Sequence, residues 1–171
     1  MKDAIRNLRA QFCKYNIDGY IIPKNDEFFS EYSNKDRLKK ISNFTGSAGY
    51  AVILKNKNYL FVDSRYTIQA KIECGKIFNI LDYEKIFNCR VFKNLIIGLD
   101  PTLFTGLQVK KFFLNNKIKI IKDNLVDKIV QIKNKNKEIF YSLNKTITGQ
   151  SHTDKIDKVT RILKKNNLDY M

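Results

Sequence analysis

The stretch from Arg37 to Ala70 constrains the fold more than any other part of the chain. It contains two β-rich pieces, 50–54 and 59–62, separated by the polar tract Lys-Asn-Lys-Asn. A tract of that length between two such pieces predicts a β-hairpin. Before the first piece comes the turn sequence Thr-Gly-Ser-Ala-Gly, and glycine suits a bend or a close backbone contact. After the second piece, Asp63 is placed to cap a helix that starts at Ser64.

Helical and strand patterns alternate along the rest of the chain. Residues 2–15 carry Ile5, Leu8 and Phe12 at helical spacing, and residues 95–99 form a continuous apolar run typical of a buried strand. Further strands are predicted near 20–22, 77–81 and 117–121, and further helices near 65–73, 106–114 and 125–132. Helices that alternate with mostly apolar strands predict an α/β fold, in which a mixed sheet is flanked by helices.

The helix after Thr105 begins with a capping-box pattern, in which Thr105 and Gln108 each satisfy a free backbone N–H group of the other. We expect this helix to use Leu107, Lys111 and Leu114 on its buried face, with Phe112 or Phe113 also turned inward.

Six segments of the sequence resemble the first domain of the aminopeptidase P (Xaa-Pro aminopeptidase) family, in the family's order and at about its spacing. The two central segments are FTGSAGYAVI and VDSRYTIQA, and the other four are Tyr20–Pro23, Ser30–Tyr32, Gly98–Pro101 and Asn124–Ile129. The resemblance is greatest to the longer, three-domain members. It implies a ribonuclease-H-like mixed sheet of the creatinase N-terminal type.

The resemblance also implies a domain organisation. Residues 1–133 would form the creatinase-type domain, 134–150 a linker, and 151–171 the first helix and strand of a second, similar domain. In the family, a dinuclear metal centre, commonly manganese, lies in a C-terminal domain and removes the residue before a proline. No cofactor is therefore expected in this chain, and manganese is expected in a catalytic domain elsewhere.

Two candidate site residues follow from the resemblance. Glu31 of the Ser-Glu-Tyr motif and Arg65 of the Asp-Ser-Arg-Tyr motif match family residues that reach toward the active site. Glu31 would supply a fixed negative charge at the rim of the substrate pocket, and Arg65 a hydrogen-bonding fork for a peptide carbonyl or carboxylate. The family's usual glycine is replaced by Ser64, which could change how Arg65 is presented. The alternatives are a solvated loop acid at Glu31 and a simple ion pair between Arg65 and Asp63 or a nearby acid.

Other routes to catalysis lack a pattern in the sequence. The single histidine, His152, has no acidic cluster at ligand spacing, and we expect it to be exposed in the first turn of a helix. Residues 46–49 match neither a nucleophile elbow nor a phosphate-binding loop. We therefore expect the chain alone to be catalytically inert and to have no metal site.

The net charge of +15 would suit a nucleic-acid partner, but the lysines are dispersed and lie most often beside asparagine. Specific nucleic-acid readers use arginine forks and aromatics set among positive charges, so we do not expect nucleic-acid binding. Three widely spaced cysteines predict reduced thiols in a cytoplasmic protein. No apolar run has the length of a membrane helix, and the N-terminus has no pattern of an export signal.

The sequence thus predicts the non-catalytic N-terminal domain of an Xaa-Pro aminopeptidase, truncated or split from its catalytic domain. Its partner would be a separate chain with the second and catalytic domains, and it would meet peptide substrate only in that complex. The alternatives are a basic stand-alone module that binds nucleic acid or acidic proteins, and the product of a decayed gene.

Overall fold

The computed structural model describes residues 1–30, 32, 35–87, 89–114, 116–130 and 141–170. It divides into two compact units, Met1–Asn134 and Lys135–Met171.

A single mixed sheet organises the described part of the first unit. Its strands are β1 (Gly19–Pro23), β2 (Gly49–Leu54), β3 (Asn58–Val62), β4 (Asn79–Asp82), β5 (Ile96–Leu99) and β6 (Lys117–Ile120). Their order is β4-β3-β2-β1-β5-β6. Strand β2 is antiparallel to β1 and β3, and the pairs β3–β4, β1–β5 and β5–β6 are parallel. The predicted hairpin and the predicted mixed sheet are confirmed.

Helices cover the sheet because its central strands are apolar on both faces. The helices of this unit are α1 (Lys2–Tyr15), α2 (Arg37–Ser42), α3 (Thr67–Cys74), α4 (Gly106–Phe112) and α5 (Leu125–Ile129). In β2, Ala51 and Ile53 point into one buried cluster, and Tyr50 and Val52 point into the other. This alternation is the two-residue period of a strand. The predicted α/β fold, a sheet flanked by helices, is confirmed.

The two faces of the sheet are packed differently. On the first face, α1, α2, α3 and α5 contribute aliphatic side chains such as Leu8, Leu38 and Leu125. On the second face, α4 and short 3-10 turns contribute an aromatic cluster that includes Phe92, Phe112 and Phe113. Edge-to-face contacts dominate this cluster, the arrangement that the ring quadrupole favours.

The orientation of α4 corrects the prediction of its buried face. Phe112 and Phe113 are buried as expected, but Leu107 and Leu114 are 65% and 70% exposed. Two phenylalanine side chains bury more apolar surface than two leucine side chains. The side of α4 that carries the phenylalanines therefore faces the sheet, and the leucines on the other side stay exposed. The capping box at Thr105 and Gln108 is confirmed, with both hydrogen bonds formed.

The second unit contains α6 (Lys145–Thr148) and α7 (His152–Lys165). Ser151 and Asp154 form a capping box at the start of α7, and the side chain of Lys145 lies 2.9 Å from that of Asp154. The predicted helix is therefore present. Residues 168–170 pair with no strand in the described part of the chain. Their assignment to a second domain, like the predicted boundaries at 133 and 150, stays a prediction.

Among the residues that the structure describes, none of the helices combines the length and the apolar character that crossing a membrane requires.

Candidate functional site

A cleft of about 330 Å³ opens at the edge of the sheet where β1, β3 and β4 end and β2 begins. We call it the edge cleft. Its described lining comprises Lys24, Asn25, Phe29, Ser47, Ala48, Gly49, Tyr50, Asp63 and Tyr83. The cleft lies there because parallel strands present their carboxyl ends at one edge, so the loops after them converge. It therefore brings together residues of two of the predicted motif segments, FTGSAGYAVI and VDSRYTIQA.

The glycine-containing turn before β2 serves packing. A Cβ on Gly46 would overlap the ring of Phe44, which is fully buried. A Cβ on Gly49 would lie 3.1 Å from the carbonyl oxygen of Phe61 on the neighbouring strand. Glycine at both positions lets the turn lie against the core, and the Ser47 hydroxyl then lies 2.8 Å from the Tyr66 hydroxyl. The turn is thus a structural wall of the edge cleft.

Arg65 lies at the surface beside this cleft. Asp63 caps the 3-10 turn Ser64–Tyr66 as predicted, since its carboxylate accepts the backbone N–H of Arg65 at 3.0 Å. The same carboxylate accepts a hydrogen bond from the Nε–H group of Arg65 at 2.8 Å, and the Arg65 guanidinium lies over the Tyr66 ring. These hydrogen bonds hold the pKa of the Asp63 carboxyl below its usual range. The Arg65 side chain stays 76% exposed, so the ion pair leaves it open to a further ligand.

Glu31, the other candidate, lies outside the described residues. The loop that leads to it is described as far as Ser30. Asp26 orders this loop by accepting the backbone N–H groups of Phe28 and Ser30, both at 2.9 Å. The proximity of Glu31 to Arg65 stays a prediction.

The buried side chain of Arg37 forms ion pairs with the partly exposed carboxylates of Asp127 and Glu27. We call this group the buried ion cluster after its cation, and it supports the loop after β1. Arg37 donates to both carboxylate oxygens of Asp127, at 2.8 and 2.7 Å, and to Glu27 at 2.6 Å. Burial lowers the pKa of Arg37, but its hydrogen bonds to Asp127 and Glu27 raise that pKa by more. Hydrogen bonding to Arg37 in turn lowers the pKa of Glu27. The cluster ties the loop after β1 to α5.

Sequence reasoning missed the buried ion cluster because its members are distant in the chain and each is an ordinary surface residue type. Arg37 stands at the first position of α2, where a charged side chain usually faces water. Arg37 and Asp127 are 90 residues apart, and no sequence pattern indicates that the two side chains form a pair.

The residues described here do not fit a metal centre. Within the described ranges, no three His, Cys, Asp or Glu side chains come together as they would to hold a metal ion. His152 lies exposed at the first residue of α7, as expected. The resemblance places manganese in a catalytic domain elsewhere, and that expectation stays a prediction.

The sequence matches the Creatinase/Prolidase N-terminal domain family over residues 5–111. The chain belongs to this family. The creatinase-type domain predicted from the six motifs is therefore confirmed, and the match includes β1 to β5, the edge cleft and Arg65.

Full-length relatives of this creatinase-type domain are peptidases. The probable Xaa-Pro aminopeptidase P of Laccaria bicolor is 28% identical over 184 residues, which cover 98% of this chain and 29% of the relative. The Xaa-Pro aminopeptidase 2 of Rattus norvegicus is 40% identical over 106 residues, which cover 57% of this chain and 16% of the relative. The chain thus spans less than a third of the length of these relatives.

Solved structures share the fold. The X-prolyl aminopeptidase of Caenorhabditis elegans, a cytosolic enzyme with a di-nuclear active site, superposes with a TM-score of 0.66 at 22% identity. The superposition covers 98% of this chain and 32% of the worm enzyme. At this identity the likeness shows the fold alone.

Proposed function

We propose that this creatinase-type domain is the non-catalytic N-terminal domain of an Xaa-Pro aminopeptidase. One observation carries the proposal: a match over nearly the whole chain corresponds to only 29% of an Xaa-Pro aminopeptidase P. The chemistry would take place on a separate region or chain, which would hold the manganese centre. The substrate would be a peptide with proline at its second position.

The edge cleft would form part of the rim of the substrate pocket in that assembly. Arg65 is exposed and planar, and one edge of its guanidinium is held by Asp63. The opposite edge could donate to a peptide carbonyl or carboxylate, because a guanidinium has five N–H donors in a fixed fork. Glu31 would supply a negative charge beside it. The role of this domain would be to position the peptide.

We further propose a cytoplasmic location. The three cysteines are free thiols, with Cys74 buried and Cys13 exposed. Free thiols are typical of reducing compartments.

The first test assays the purified chain on an Arg-Pro-Pro peptide with added manganese. We expect no release of arginine. The same chain is then titrated into the metal-loaded catalytic part of an Xaa-Pro aminopeptidase, where we expect turnover to rise to a plateau. Turnover by the chain alone would refute the proposal, as would a catalytic part that neither binds nor responds to it.

The second test replaces Arg65 by Gln in the assembled enzyme. We expect KM for a tripeptide to rise about tenfold with a smaller change in kcat, because a charge-assisted hydrogen bond to the peptide is lost. Arg6→Gln is the matched control, since Arg6 is also 76% exposed and also lies 2.8 Å from an aspartate, Asp3. Equal effects of the two substitutions would exclude Arg65 from the pocket.

A further inference from the structure

The outer face of α4 carries an unusual surface. Leu107, Lys110 and Lys111 recur at positions i, i+3 and i+4, the spacing of one helix face, and Leu114 follows two residues after the helix ends at Phe112. Because Phe112 and Phe113 turn the other side of α4 toward the sheet, this face points outward. The apolar pattern that the sequence suggests for the core therefore lies on the surface.

A groove of about 510 Å³ lies along this face, and its described lining is Phe87, Lys110, Lys111 and Leu114. We call it the α4 groove. Its volume is within the range of sites that hold an apolar group. The groove belongs to the aromatic face of the sheet, whereas α3, which follows Arg65, packs on the opposite face.

The wall formed by Phe87 is held in place by the aromatic cluster beneath it. Its ring lies 5.5 Å from that of Phe112 and 5.7 Å from that of Tyr83, measured between centroids. Both neighbours also contact Tyr50 in the core of the sheet. The groove therefore exists before a ligand arrives, which lowers the entropic cost of binding.

Two ammonium groups border the groove. Lys110 and Lys111 are exposed, and within the described residues neither forms an ion pair. The rim of the groove thus offers positive charge that no carboxylate of the described chain balances.

We propose that the α4 groove docks an acidic amphipathic segment of a partner protein. An apolar side chain of the segment would lie against Phe87 and Leu114, and carboxylates beside it would pair with Lys110 and Lys111. Charge complementarity selects this occupant: an apolar wall bordered by two cations on consecutive residues matches a short segment with an apolar anchor and two acids. A lipid surface would need a longer apolar face.

The test measures fluorescence anisotropy with the full chain and a labelled peptide of alternating Leu and Glu pairs. A second peptide with Gln in place of Glu tests the charge requirement. We expect the acidic peptide to bind and the Gln peptide to bind at least tenfold more weakly. Lys110→Gln with Lys111→Gln should weaken binding of the acidic peptide roughly three- to tenfold. Leu114→Ser should weaken binding of both peptides, because it removes the apolar contact.

The matched control is Lys39→Gln with Lys40→Gln on α2, which removes the same charge from another exposed helical lysine pair. We expect it to leave binding of the acidic peptide within twofold of the unchanged protein. An equal loss in the two lysine double variants would refute the proposal, because general charge attraction would then suffice. Absence of binding by the acidic peptide, or stronger binding of the chain to an oligonucleotide or to anionic vesicles, would also overturn it.

Discussion

The buried ion cluster of Arg37, Asp127 and Glu27 leads to an asymmetric prediction. The Arg37 side chain is only 2% exposed, whereas those of Asp127 and Glu27 are 31% and 37% exposed. The guanidinium of Arg37 is therefore almost completely shielded from water, whereas each carboxylate side chain keeps about a third of its surface exposed to solvent. Removing a carboxylate should consequently cost more than removing the cation.

The magnitudes follow from which charge is left behind. Asp127→Ala removes two of the three hydrogen bonds that the Arg37 side chain donates to described residues. Its Nη1 atom is buried and has no partner among those residues. Loss of one partner from a buried ion pair costs about 3–5 kcal/mol, and we expect about 3 because Glu27 remains. Arg37→Met removes the desolvated charge itself and leaves carboxylates that water can hydrate. We expect it to cost about 1–2 kcal/mol, mostly in lost hydrogen bonds and packing.

Urea unfolding followed by far-ultraviolet circular dichroism at neutral pH measures both free energies. Asp123→Ala is the control. Asp123 lies 2.8 Å from Lys128 of α5, about as close as Asp127 lies to Arg37, but the Asp123 side chain is exposed. We therefore expect almost no change in the free energy of unfolding. The double variant Arg37→Met with Asp127→Ala should be no less stable than Asp127→Ala alone. The reasoning is refuted if Arg37→Met costs as much as Asp127→Ala.

Three further predictions concern stability. Gly46→Ala should lower the free energy of unfolding by about 1–3 kcal/mol because the added Cβ would overlap a buried ring. Gly106→Ala is the control and should cause no loss, since the space around Gly106 is open. A thermal-unfolding experiment that ranks the two variants the other way would contradict the packing role of Gly46. Asp18 accepts hydrogen bonds from a strand amide and from a lysine, which lower its pKa below the usual 3.8. Its contribution is thus present above that pH and lost as pH falls through the folded-state pKa, so the stability difference between the unchanged protein and Asp18→Asn should shrink in acid. Phe112→Ala should cost about 3–5 kcal/mol in urea unfolding and Leu107→Ala less than about 0.5, and equal losses would contradict the orientation of α4.

Much of the fold could be predicted because it depends on neighbours in the chain. The cap at Asp63 and the box at Thr105 join groups two or three residues apart, so their chemistry is visible in the sequence. The hairpin of β2 and β3 needs only a polar tract between two β-rich pieces. The requirement for glycine at position 46 is local in the same sense, since the ring that a Cβ there would overlap belongs to Phe44, two residues earlier.

The candidate site was predicted only in part. The position of Arg65 after β3 follows from the strand and its cap, but its ion pair with Asp63 was one of two alternatives that the sequence left open. The edge cleft itself depends on the pairing of β1 with β2 and of β3 with β4, and no local signal specifies those partners.

By itself, the sequence determined the family, the succession of helices and strands, and the caps that begin them, because these depend on short-range contacts and on residue patterns. Tertiary structure alone decided which side of α4 meets the sheet, that Arg37 is buried against Asp127 at a separation of 90 residues, and where the edge cleft opens. These features depend on competition between distant groups for a place in the core. Such competition is resolved only when the whole sheet has assembled and each apolar or charged side chain has its neighbours.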